Sequence, residues 1–325
     1  MGPIKGEHKR KSWSEINKTR KEERRKWKEQ NLMKKIEKQK LKESTEYQST
    51  STVVSGSEKP LTTISIAVPG SILETVQSQE LRAYVSGQIA RAACIFQVDE
   101  IVVFDDYGDE THAKKATLED NYGLKNVRES CVQLGRILQY LECPQYLRKQ
   151  FFPIHNHLKF CGILNPLNAP HHLGKDDKFQ FREGVVMNKP VKPGKGSIVN
   201  VGLLKEVCVD KSLTPGLRCT VKLLPELETS RKLKGIIVPP SAPKSETGAY
   251  WGYTIRLASA LSKVFSQCPY KEGYDLTIGT SDKGTLVDEF QCPSFQHVLI
   301  VFGGIQGLEA ALENDDTFNI KVQKP

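Results

Sequence analysis

The sequence predicts an α/β protein, a parallel sheet interrupted by a small inserted β-barrel and preceded by a basic helical tail. Three observations predict this. From Leu61 the apolar residues run strand, helix, strand, the order that builds a parallel sheet. Between about 165 and 245 helical periodicity gives way to short β runs broken by Gly and Pro, after which the strand–helix alternation returns. An interruption of this kind marks an insertion rather than a tandem domain. The third observation is charge. Residues 1–43 hold 16 Lys/Arg against 7 Asp/Glu, and residues 44–325 hold 31 of each, so the whole excess of +9 sits in the tail.

Taken in order, residues 1–43 are a basic tail, helical or disordered. KWKEQNLMKKIEKQKLK contains good helix formers and no Gly or Pro, but its apolar residues are too sparse to bury a face. The same stretch reads as an RNA-contacting or nuclear-import arm. Clustered cations bind phosphates by counterion release, and Trp27, between Lys26 and Lys28, can stack on a base. Residues 44–60 are Ser/Thr-rich and end in Pro, as a linker does.

The first part of the α/β domain spans 61–165. TTISIAVP alternates as a strand, and SQELRAYVSGQIARAACIF follows as a helix with Ser78 as its N-cap and apolar positions 81, 85, 89, 92 and 96. EIVVFDD is a short buried strand ending in two aspartates, 105–126 is a polar loop, and VRESCVQLGRILQYLECP is an amphipathic helix stopped at Pro144. The inserted domain spans 166–245, with β runs EGVVM, GSIVNVGLL, KEVCVD, GLRCTVKLL and GIIVPP. Several short strands with regular turn signals suggest an OB-like barrel. The second part of the α/β domain spans 246–325, with strands in YWGYTIRLA, YDLTIG and HVLIVFGG and helices in SALSKVFSQ and IQGLEAAL.

Eight cysteines include no C-x-x-C pair. They read as reduced, mostly buried thiols in a reducing compartment. No apolar run approaches the roughly 18 residues of a membrane span, and the basic N-terminus has no apolar core of a secretory signal. No membrane partner is therefore expected. His155-x-His157 and His171-His172 have no Cys or carboxylate partners at metal-ligand spacing, so no metal is expected. The second pair follows a Pro-rich stretch, as a rigid loop at the seam between domains would.

Two strands end in small-residue loops, LTIGTSDKG at 276–284 and VLIVFGGIQGLEAAL at 298–312. Ligands of open α/β sheets bind beyond the carboxyl ends of strands, and glycine there lets backbone N–H groups approach closely. There is no G-x-G-x-x-G and no G-K-[ST], which argues against a dinucleotide or P-loop site.

Together these two loops resemble the first two cofactor loops of SPOUT-class (trefoil-knot) RNA methyltransferases, in the eukaryotic and archaeal family with an inserted OB-like domain. The human member of that family is spindle- and kinetochore-associated. VPGSIL, LRAYVSGQIARAACIF, DEIVVFDD, LQYLECPQYLRKQFFP, LNPLNAPHH, REGVV and YWGYTIRLAS also match, so the resemblance covers about 61–312. It implies a knotted sheet, one of the exceptions to unknotted folds, and S-adenosyl-L-methionine as cofactor. The motif-matched residues are Gly279, Thr280, Ser281, Lys283, Gly303, Gly304, Gln306, Gly307 and Leu308. Relatives carry Glu-Arg-Gly where this chain has Asp282-Lys283-Gly284, which keeps the charge and loses the planar fork.

The implied activity is methylation of RNA, with uridine N3 of large-subunit rRNA as target. The implied location is the nucleus or nucleolus, with spindle, centrosome or kinetochore association in mitosis. No catalytic base is assigned by the motifs. Arg82, Arg91 and Arg256, with Lys26, Trp27 and Lys28 of the tail, are the candidates for RNA contact. The family continues with a third cofactor loop and a closing helix that threads the knot and builds a homodimer interface. Nothing after Phe318 matches that segment, so an incomplete knot is expected here. The alternative reading is a non-catalytic RNA-binding or spindle-associated adaptor derived from the methyltransferase.

Overall fold

β-branched residues crowd TISIAVP and EIVVF, and both segments form strands of a parallel sheet. A computed structural model describes residues 62–107, 127–190, 196–225, 233–315 and 317. The expected tail, the linker and most of the loop expected over 105–126 lie outside the described residues. The sheet comprises β1 (Thr63–Pro69), β2 (Glu100–Phe104), β8 (Thr254–Ala258), β9 (Leu276–Gly279) and β10 (His297–Val301). Their order is β8-β2-β1-β10-β9, and every pairing is parallel. Both faces must then be covered. One carries α1 (Gln79–Ile95) and α2 (Glu129–Glu142), the other α5 (Leu261–Ser266) and α6 (Gly307–Glu313).

Ser78 caps α1 as expected, its Oγ accepting from Leu81 N at 3.2 Å. The buried face of α1 differs from the expected stripe. Ala83, Ser86, Ala90 and Ala93 are buried, while Leu81 and Phe96 are 51% and 71% exposed. Small residues win this face because they let the helix approach α2 and the sheet closely, and the larger side chains are left at its margins. α2 also departs from a simple amphipathic helix, since all residues from Ser130 through Leu138 are buried. The segment at 155–157 covers its polar side. Arg136 Nη1 meets both His155 and His157, at 2.7 Å from His155 Nε2 and 2.9 Å from His157 Nδ1. Burial, with the Arg136 charge beside it, holds His155 down at about 3, so it stays neutral at neutral pH.

The middle of the chain closes into a barrel of β3 (Phe181–Val186), β4 (Ile198–Asn200), β5 (Val207–Val209), β6 (Arg218–Leu223) and β7 (Leu233–Val238). Its order is β3-β4-β5-β7-β6, closed by β3 against β6, with only β5 and β7 parallel. Valines 186, 199, 201, 207, 209 and 221 fill its interior. Between this barrel and α2 run the short helix α3 (Gln145–Phe151), which begins just after Pro144, and an irregular segment. Helix α4 (Ala242–Thr247) leads back to the sheet.

Barrel and sheet are joined by buried charge. Arg218 of β6 forks onto Glu142 at the end of α2, at 2.7 and 2.8 Å, and its Nε donates to Glu183 of β3 at 2.7 Å. Thr220 Oγ1 and Trp251 Nε1 each donate to Glu183 Oε1 at 2.6 Å. His171 is fully buried, its Nε2 2.9 Å from the Glu142 carbonyl oxygen, and His172 Nε2 lies 2.7 Å from the same oxygen. Both histidines therefore sit at the seam. Burial works against ionisation of Glu142, but the Arg218 charge and its hydrogen bonds outweigh it and hold the carboxyl well below its usual range.

Arg218→Ala leaves two buried carboxylates without their cation and is expected to destabilise the fold by about 3–5 kcal/mol in chemical denaturation. Because the folded-state pKa of Glu142 is depressed, its contribution is present above its unfolded value and lost as pH falls through its folded one. The gap between the wild-type chain and Arg218→Ala should therefore narrow in acid.

Candidate active site

The strand order reverses between β1 and β10: β2 and β8 lie outward on one side, β10 and β9 on the other. A crevice opens at such a point because the loops leaving the two strands diverge, and ligands bind there. After β1 the chain makes a 3-10 turn, Gly70–Thr75. After β10 it runs Phe302-Gly303-Gly304-Ile305-Gln306 into α6.

A third loop joins them from β2. Ser71 Oγ donates to Asp106 Oδ2 at 2.6 Å, and Ser71 N lies 3.4 Å from Asp106 Oδ1. A Cβ placed on Gly304 would stand 2.6 Å from Asp106 Oδ2 and 3.1 Å from Ser71 Oγ. Glycine at 304 is therefore what lets the β10 loop lie on the Ser71–Asp106 pair. Asn314, just past α6, donates to the Asp106 carbonyl at 3.1 Å.

Beside this pair lies an ion cluster. Asp105 accepts from the backbone N–H of Tyr107 and of Arg128, both at 3.2 Å, and Arg128 Nε lies 3.3 Å from its carboxylate. Arg128 also reaches Glu74 at 3.4 Å and stacks 4.2 Å above the Tyr107 ring, and Ser130 Oγ donates to Glu74 at 2.9 Å. Burial pushes Asp105 up to about 6 despite these partners, and it also raises Asp106.

The structure brings together the two groups of sequence-predicted cofactor residues. Gly279, Thr280, Ser281 and Lys283 follow β9, and Gly303, Gly304, Gln306, Gly307 and Leu308 follow β10. Thr280 N donates to Val301 O at 2.9 Å, which ties the first loop to the end of β10. Gly307 adopts φ +82° and its N–H donates to Gly304 O at 3.0 Å, closing the turn of the second loop. Cβ atoms at Gly279 and Gly303 would each stand 3.1 Å from atoms of Leu308. The Leu308 side chain itself packs into the core under α5 and α6. Leu286, Val287 and Phe290, in the segment joining β9 to β10, and Phe302 and Ile305 after β10 are exposed apolar residues.

The candidate RNA contacts do not form one cluster. Arg82 lies in the first turn of α1, the end nearest the crevice, with Nε donating to Val76 O at 3.2 Å. Arg91 is exposed nine residues further along α1, roughly 14 Å away along the helix axis. Arg256 is taken up inside the fold. It donates to Glu100 at 2.9 Å, to the carbonyls of Lys263 and Val264, and lies 3.1 Å from Tyr274 Oη. That is a structural ion pair between β8 and β2. Lys26, Trp27 and Lys28 lie outside the described residues. Among the described residues no group of three metal-ligating side chains forms, and no helix is long and apolar enough to cross a membrane.

Ser71, Glu74, Asp106 and Arg128 stand beside the loop after β10 or its ion cluster and are not among the sequence-predicted site residues. The available signal was the pair of aspartates directly after a buried strand.

An open parallel sheet with glycine loops at the carboxyl ends of its strands and a separate closed barrel defines an α/β protein of two parts. Residues 63–325 match the family described as "Putative RNA methyltransferase", and the chain belongs to that family. It is 51% identical over 316 residues to the 28S rRNA (uridine-N(3))-methyltransferase of Drosophila melanogaster, an alignment that covers 95% of this chain and 65% of that protein. The mouse and human proteins of the same name are 55% and 53% identical, each over 81% of this chain and over 67% and 69% of their own lengths. The chain thus spans about two thirds of the length of these relatives.

Gly304→Ala is expected to cost about 1–3 kcal/mol of stability, because its methyl group overlaps a buried carboxylate oxygen. Equilibrium denaturation beside the wild-type chain measures it.

Proposed function

We propose that this chain is an S-adenosylmethionine-dependent methyltransferase that acts on uridine N3 of large-subunit ribosomal RNA. The observation that carries this reading is the meeting of two motif-matched glycine loops at the switch point of the sheet, in a chain of this family.

The residues present fit the cofactor. Glycines at 279, 303, 304 and 307 keep the loop backbones uncovered, Thr280 anchors the first loop to Val301 O through its N–H and hydroxyl, and Ser281 and Lys283 offer donors to a carboxylate. Exposed Leu286, Phe302 and Ile305 offer apolar surface to a purine. When bound, the cofactor supplies a methyl group already activated on sulfonium sulfur. The protein's share is to hold the reacting nitrogen about 3 Å from that carbon, in line with the leaving sulfur, and to accept the N3 proton. The barrel supports an RNA grip, since its strand order with a single parallel pair is OB-like, and barrels of that type bind single strands. The +9 tail adds phosphate affinity. Nuclear or nucleolar residence follows from the substrate. A homodimer and spindle or kinetochore contacts enter this reading through the family resemblance alone.

The full chain is expected to bind S-adenosylhomocysteine with micromolar affinity in calorimetry, and Gly304→Arg to abolish that binding. Tritium transfer from S-adenosylmethionine to unmodified large-subunit rRNA tests the activity. Cofactor binding without transfer, with RNA affinity intact in Gly304→Arg, would mark a binding adaptor instead of an enzyme. Deleting residues 1–43 should weaken RNA binding and flatten its dependence on salt. An unchanged salt slope would remove the tail from the RNA interface.

A further inference from the structure

Methylation at uridine N3 requires that nitrogen to lose a proton, and the motifs assign no base. Three carboxylates stand at the carboxyl edge of the sheet near the switch point. Glu74 is held by Ser130 and Arg128. Asp105 receives two backbone N–H groups and the Arg128 guanidinium. Asp106 is different. Its carboxylate takes hydrogen bonds from Ser71, and a carboxylate has capacity for about four. It also lies against Gly304, in the middle of the motif-matched loop after β10.

Resting on the function proposed above, we propose that Asp106, oriented by Ser71 and seated beneath Gly304, is the base that takes the N3 proton of the target uridine. In the step, the N3–H bond breaks and its proton passes to an Asp106 oxygen. The freed N3 electron pair bonds to the methyl carbon as the carbon–sulfur bond breaks. The sulfonium becomes a neutral thioether, S-adenosylhomocysteine. Protonated Asp106 then returns its proton to solvent. Ser71 is a positioning residue: its hydroxyl fixes Oδ2 at 2.6 Å and its N–H lies 3.4 Å from Oδ1, and the carboxylate keeps further lone-pair capacity for the substrate.

The surroundings suit this task. Burial raises the Asp106 carboxyl above its ordinary value, against the lowering effect of Ser71 and Arg128, so proton transfer from a weakly acidic imide is less uphill. The charged and titratable groups facing it are Arg128, Asp105, Glu74 and the buried thiol of Cys131. Arg128 is shared with both other carboxylates, and burial raises Cys131 well above its usual range.

The test begins by mapping the uridine that the wild-type chain methylates. Asp106→Asn is expected to lower transfer by about 10²–10⁴-fold with S-adenosylhomocysteine affinity unchanged. 5-Fluorouridine at the mapped position, with its more acidic N3–H, should restore part of the lost rate in Asp106→Asn and change the wild-type rate little. A structural role would show no such rescue. A binding measurement stands beside it: wild-type chain should bind an oligonucleotide with 3-deazauridine, which has no N3–H, about tenfold more weakly than the uridine form. Asp106→Ala should bind the two alike. Equal wild-type affinity for both oligonucleotides overturns the proposal without reference to any variant. Equal transfer by Asp106→Asn and wild type overturns it while the proposed function stands. No transfer by the wild-type chain overturns both.

Discussion

The docking of barrel on sheet depends on one partly buried arginine. Arg218 leaves the barrel to bind Glu142, the last residue of α2, and Glu183 of its own barrel at the same time. Removing these charges from water is costly, and a buried ion pair adds little net stability compared with apolar packing. Its effect is geometric. Two carboxylates and one guanidinium are satisfied together only when the barrel is docked at one angle. Thr220, Trp251 and Tyr146 complete the Glu183 side of the network, and His171 the Glu142 side. Any other docking leaves a charge or a donor buried without its partner.

Helix α2 carries that constraint to the site. Its C-terminal residue is Glu142, and Arg128 precedes its N-terminal turn, where it joins Asp105 and Glu74. Fourteen helical residues separate the two ends, roughly 21 Å of a rigid rod. The helix is buried on nearly every side, and Gly135 lets it pass close to β8, where a Cβ would come within 2.9 Å of Leu257. A displacement of the barrel would therefore be felt at the ion cluster beside the crevice. In the proposed function this couples the part that grips RNA to the part that holds the reacting base.

The glycine loops show a related economy of space. Gly304 accommodates Asp106, and Gly279 and Gly303 accommodate Leu308 and its backbone. Contact between loops of the protein itself favours these glycines, most tightly at Gly304, and they also leave the loop backbone uncovered on its outer side. Motif matching identifies such residues without separating the two reasons. Leu308 illustrates the point, since it matches the motif and packs into the core.

The sequence by itself determined the elements and their kind. Strands in TTISIAVP, EIVVFDD and HVLIVFGG, the helix stop before Pro144, the N-cap at Ser78 and the inserted β runs are local facts, carried by period, branching and turn chemistry within a few residues. The glycine loops were legible for the same reason. Tertiary structure alone decided which face of α1 is buried, because Ala83, Ala90 and Ala93 are chosen by close approach to a partner helix and not by hydrophobicity. It alone turned Arg256 inward onto Glu100, whose positions are 156 residues apart. It alone set Ser71 and Asp106 beside Gly304, since those three residues lie on loops from three strands and meet only where the strand order reverses. Local physics is written in neighbouring residues, whereas a site at the switch point of a parallel sheet is assembled from positions that the chain crossings bring together.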